Sequence, residues 1–72
     1  MDILAAFSSR SEALRLYNAL NERRIAAVVL DTPKRIGKGC GLSVAFNACF
    51  RHTAEEIIRL LRLKTLIGFY LR

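Results

Sequence analysis

Two cysteines and one histidine are the strongest candidates for covalent or metal chemistry in this chain, and one of the cysteines sits in a setting suited to it. Cys40 lies between Gly39 and Gly41 at the end of the eleven-residue stretch Asp31–Gly41, which also supplies Lys34, Arg35 and Lys38. A free thiol ionises near pH ~8.5, and neighbouring cations or a helix N-terminus favour its thiolate. Gly37, Gly39 and Gly41 permit sharply bent backbone and close approach by another chain. Pro33 stiffens the stretch and drives Thr32 towards extended geometry. Thr32, Pro33, Lys34, Arg35, Lys38, Gly39 and Gly41 are therefore expected to shape the loop and stabilise an anion around Cys40. The competing reading is that a cysteine in so small a domain is a buried, inert apolar side chain.

The remaining candidates are weaker. Cys49 stands in A-C-F with no glycine beside it and is expected to pack inward. A Cys40–Cys49 disulfide is disfavoured. If Leu42–Asn47 is a strand, the two residues lie beyond its opposite ends, roughly 25–30 Å apart, where a disulfide needs alpha carbons within about 7 Å. His52 precedes a helix start and is expected on the surface; Asp31 reads as a strand-end acid. No zinc-spaced Cys/His set, carboxylate pair or phosphate-binding loop is present, so neither a cofactor nor a metal is expected, and a carrier or binding domain is favoured over an enzyme.

The elements that must position Cys40 follow from periodicity. Ile3–Phe7 reads as a strand. Ser9 and Glu12 form a capping box for a helix over Arg10–Glu22, with Ala13, Leu16, Tyr17 and Leu20 on one face. Ile25–Leu30 is an apolar, β-branched strand. Leu42–Asn47 alternates Leu42, Val44 and Phe46 with smaller residues. Thr53 and Glu56 suggest a second capping box and helix, with Ala54, Ile57, Ile58 and Leu61 turned inward; Ile67–Leu71 closes the chain as a strand. This order predicts an α+β, ferredoxin-like split βαβ domain (βαββαβ) over residues 1–72, a four-stranded antiparallel sheet with both helices on one face. In that topology the Cys40 loop meets the N-terminus of the first helix, while Cys49 and His52 lie at the opposite sheet edge.

Composition narrows the class further. At 72 residues and 53% apolar content the chain is one ordered domain. A net charge of +6 suits nucleic acid, an anionic ligand or an acidic partner protein. The longest apolar run, Ile25–Leu30, is too short to cross a membrane, and Met1-Asp2-Ile3 does not resemble a signal peptide; a cytoplasmic, reducing location is expected. Lys38–Phe46 loosely echoes an RNA-recognition octamer, but Cys40 and Leu42 replace rings that stack on bases. The uncharged strand at Ile25–Leu30 and a sheet face of Ala6, Ala45, Gly68 and Tyr70 suggest a homodimer.

The segment Thr32-Pro33-Lys34-Arg35-Ile36-Gly37-Lys38-Gly39-Cys40-Gly41-Leu42 fits T-P-[KR]-x-I-x-x-x-C-G-L. In this the chain resembles the selenium/sulfur carrier protein-like family. The resemblance implies that Cys40 is the atom-carrying thiol, holding sulfur or selenium as a persulfide or selenosulfide between donor and acceptor proteins. The family's tail is often acidic, whereas this chain ends Leu71-Arg72. The alternative is an interaction or regulatory module that binds RNA, an anionic ligand or an acidic protein through the same loop.

Overall fold

Ile3–Phe7 is apolar at every position, the pattern of a strand covered on both faces rather than one. It forms β1, at the interior of a sheet ordered β2-β3-β1-β4. The computed structural model describes residues 1–37 and 41–72. In chain order these form β1 (Ile3–Phe7), α1 (Arg10–Glu22), β2 (Ala27–Asp31), β3 (Leu42–Phe46), a 3-10 turn (Ala48–Phe50), α2 (Arg51–Leu60) and β4 (Leu66–Leu71). All three pairings are antiparallel, so the ferredoxin-like α+β arrangement expected from the element order is present.

Odd positions of β1 and even positions of β3 share the helix side. Ile3, Ala5, Phe7, Leu42, Val44 and Phe46 join Ala13, Leu16 and Leu20 of α1 and Ala54 and Ile57 of α2 in one core. Fully burying a side chain such as Phe7 contributes roughly 2–3 kcal/mol.

Both helices end in the same device. Arg24 and Arg62 adopt left-handed backbone, with φ of 60° and 55°. After α1, Arg24 N–H donates to Asn21 O at 2.9 Å and Ile25 N–H to Leu20 O at 3.0 Å. After α2, Arg62 N–H donates to Arg59 O at 3.2 Å and Leu63 N–H to Ile58 O at 3.0 Å. These are paired Schellman closures, each followed by a buried apolar residue, Ile25 or Leu63. A guanidinium beside the negative end of a helix offsets part of the cost of placing a non-glycine residue there. The first closure also corrects the start expected for β2. Ile25 is spent on ending α1, so the strand begins at Ala27 and reaches Asp31.

The start of α2 is a second correction. Thr53 does not cap it; the helix opens at Arg51, and its N-cap residue Phe50 supplies no side-chain hydrogen bond. The preceding 3-10 turn is held instead by Asn47 Oδ1, which accepts from Cys49 N–H at 2.9 Å, and by Asp2 Oδ1, which accepts from Ala48 N–H at 2.8 Å. Capping was displaced one turn upstream because these two carbonyl and carboxylate oxygens meet the free donors first.

The second sheet face carries no helix, yet Leu4, Ala6, Ser43 and Ala45 are at most 1% exposed. The segment after β2 accounts for this. Thr32 Oγ1 and Ser43 Oγ share a hydrogen bond of 2.9 Å on this face. Farther along, Arg35 Nη2 donates to Leu71 O at 3.3 Å, and a Cβ placed on Gly37 would sit 3.7 Å from Ile67 Cδ1. β2 and β4 are opposite edges, three strand spacings or about 14 Å apart. The segment thus crosses β3 and β1 on the face the helices leave free. Tyr70 completes the cover by folding its ring over Gly68, where a Cβ would come within 3.2 Å of Tyr70 Oη. The face expected to await a second copy is already covered within one chain.

Candidate functional site

The loop between β2 and β3 is anchored at both ends. Thr32 N–H donates to Gly41 O at 3.4 Å, while Ile36 and Gly37 N–H groups both turn back to Pro33 O at 3.0 and 3.4 Å. Pro33 thereby sets a single tight turn over Lys34–Ile36. Lys34 and Arg35 are exposed. The Arg35 guanidinium engages the β4 carbonyl of Leu71, a role the sequence did not suggest.

Gly41 is fixed by contact rather than by backbone handedness. A Cβ there would lie 2.2 Å from Phe7 O and 3.4 Å from Ser8 Cα. The main chain of β1 therefore passes directly over Gly41. Since Ser9 caps α1, accepting from Glu12 N–H at 3.2 Å, the root of the loop sits at the first helix's N-terminus, as the topology predicted. Lys38, Gly39 and Cys40 lie outside the described residues.

The family model described as Putative Se/S carrier protein-like matches residues 2–66. The chain belongs to this family. That stretch contains the whole of Thr32–Leu42 together with both helices and the first three strands of this Se/S carrier-like domain. No curated protein and no solved structure matches the chain.

In this Se/S carrier-like domain a residue assigned to capping does more than cap. Glu12 Oε1 accepts from Lys64 N–H, Thr65 N–H and Thr65 Oγ1–H, each at 2.8 Å. The reciprocal bond of a capping box is thereby lost, and Ser9 N–H donates to Thr65 Oγ1 at 3.3 Å instead. The Thr65 hydroxyl, then the Thr65 backbone N–H, hold the Glu12 carboxyl below its usual range against the opposing effect of burial, with lesser help from the Lys64 N–H and the Arg15 charge. Glu12 ties the α2–β4 connection to the helix start beside Gly41. S-x-x-E gave its position in α1, but partners more than fifty residues away gave no local signal.

The opposite sheet edge holds the other candidates. Cys49 is a free, exposed thiol, which corrects the inward packing expected of it. The 3-10 turn directs it outward because Ala48 and Phe50, not Cys49, pack against the core. His52 is exposed as expected, with Nδ1 3.3 Å from Glu55 Oε1. Asp31 lies instead at the loop's own edge, exposed at the end of β2 and paired with Leu42. Among the described residues no group of three His, Cys, Asp or Glu side chains is placed to hold a metal, and no helix is long and apolar enough to cross a membrane. Nor does the second sheet face offer rings from β1 or β3: its positions there are Leu4, Ala6, Ser43 and Ala45, all buried, so a base-stacking platform is absent from those strands.

Proposed function

We propose that this domain carries sulfur or selenium on the Cys40 thiol, between a donor and an acceptor protein. Membership of the Se/S carrier-like family, with the Thr32–Leu42 motif inside the matched residues, is the observation that carries the reading. The transfer balances without an external oxidant. The Cys40 thiolate attacks the terminal sulfur of a donor persulfide; a new S–S bond forms as the donor's S–S bond breaks, and the donor thiolate leaves. A thiolate on the acceptor then attacks the terminal sulfur, and the Cys40 thiolate is released. A donor selenosulfide follows the same course through its terminal selenium.

The geometry around the motif supports such a role. Gly41, bonded to Cys40, is pinned under the end of β1 and beside the α1 N-terminus, whose partial positive charge favours a nearby anion. Lys34 adds an exposed cation in the same loop. The test is intact-mass measurement after exposure to a persulfide donor, with wild type, Cys40→Ser and Cys49→Ser in parallel. The expected result is one added chalcogen on wild type and on Cys49→Ser, and none on Cys40→Ser. Equal loading of Cys40→Ser and wild type overturns the proposal, as does loading that disappears only with Cys49.

A further inference from the structure

A groove of about 440 Å³ runs between the end of α2 and β4. Ile58, Leu63, Leu66 and Phe69 make its apolar floor. Arg59, Arg62 and Lys64 line it as cations; among the described residues none of the three pairs with a carboxylate. Its one acid, Glu55, is engaged by Arg51 at 3.8 Å and His52 at 3.3 Å.

β4 borders this groove and is an edge strand with no charged residue in Leu66–Leu71. Its hydrogen-bonding phase can be read from the pairing. Arg72 N–H donates to Asp2 O at 3.0 Å, so in the shared register Leu4–Tyr70 is also a bonded pair, whereas Ile3–Leu71 and Ala5–Phe69 are not. The N–H and C=O groups of Phe69 and Leu71 therefore point out of the sheet. Arg35 shows that this edge takes up donors, because its guanidinium reaches across to the outward Leu71 carbonyl. Phe69 combines an outward main chain with a side chain in the groove. An edge of this kind ordinarily invites another strand unless charge or a covering element blocks it.

We propose that β4 and the α2 groove form a docking edge for an extended, acidic segment of a partner protein, added as a fifth strand beside β4. Main-chain bonds to Phe69 hold the segment. Its apolar side chains rest on Ile58, Leu66 and Phe69, and its carboxylates meet Arg59, Arg62 and Lys64. Charge selects this occupant over a second copy, which would bring the same three cations, and a net charge of +6, against themselves. The inference stands apart from the chemistry at Cys40.

The probe is a fluorescein-labelled peptide of about eight residues, ordinary strand length, in which glutamates and valines alternate in pairs. Each face of the strand it forms then carries both an acid and an apolar side chain. Binding is followed by anisotropy at low salt, and the surface is mapped by amide chemical shifts of the whole chain. The expected shifts fall in residues 58–71. A further peptide N-methylated at every amide should not bind, because no register of it can donate main-chain hydrogen bonds to β4. Arg59→Gln with Lys64→Gln should weaken binding about tenfold, and rising salt should weaken it further. Cys40→Ser should bind like wild type, which separates this test from that of the carrier proposal. No binding at low salt, binding by the methylated peptide equal to that of the unmodified one, shifts centred on β2, or groove shifts with sodium decanoate but not the peptide each overturn the proposal.

Discussion

Replacing Gly41 by alanine places one methyl carbon where no room exists. The added Cβ would stand 2.2 Å from Phe7 O, whereas ordinary contacts begin at 3.4 Å, so one of the two backbones must move by about 1.2 Å. Phe7 is fully buried and paired on both sides, with Leu42 of β3 and Leu66 of β4, so neither neighbour yields cheaply. Overpacking of this kind costs about 1–3 kcal/mol, and the upper end applies because the obstacle is main chain rather than a flexible side chain. A chain of this length has roughly 4–11 kcal/mol to lose. A loss near 3 kcal/mol lowers Tm by about 12–24 °C. Gly37→Ala is the matched control, since its Cβ would make an ordinary 3.7 Å contact with Ile67 and neither glycine has left-handed backbone. Gly37→Ala should change stability little, or raise it by about 0.4–1 kcal/mol through the unfolded chain. Thermal and urea unfolding followed by circular dichroism measure both. Equal stability of the two variants would refute the claim that Gly41 is required by the passage of β1 over it.

Two other predictions concern the frame around the loop. Arg24→Gly and Arg62→Gly should each stabilise by about 0.5–1 kcal/mol in urea unfolding, because glycine relieves left-handed backbone at both helix ends; a loss in both would show that the guanidinium's interaction with the helix end outweighs the strain. Glu12 has a folded-state pKa below its unfolded value, so its stabilisation is complete above the unfolded carboxyl value of about 4.3 and disappears as pH falls through the folded one. Urea unfolding from neutral to acid pH should show that loss in wild type and a shallower one in Glu12→Gln, and Thr65→Val should raise the Glu12 pKa in a carboxyl NMR titration; identical acid profiles for wild type and Glu12→Gln would show that the bonds from Glu12 to Lys64 and Thr65 do not stabilise the fold.

Periodicity, composition and one motif were enough to determine the element order, the ferredoxin-like α+β class, the bounds of β1 and α1, and the Ser9 cap. These depend on residues a few positions apart, whose spacing already states which face is buried. The family whose resemblance was read at Thr32–Leu42 is the one whose model matches residues 2–66, and the split βαβ order was enough to bring the loop root to the α1 N-terminus. Tertiary structure alone decided the rest. The end of α1 took Ile25 from β2 through an arginine in left-handed backbone, a position where sequence habit looks for glycine. Asp2 and Asn47 moved the turn before α2 upstream of Thr53, and Cys49 turned outward with it. Arg35 was carried across the sheet to β4, and Glu12 was diverted from its helix cap to Lys64 and Thr65. Each of these outcomes joins residues far apart in the chain, or depends on which donor lies nearest once the sheet has closed. Local spacing holds no record of that competition, because it is settled only when distant segments are packed together.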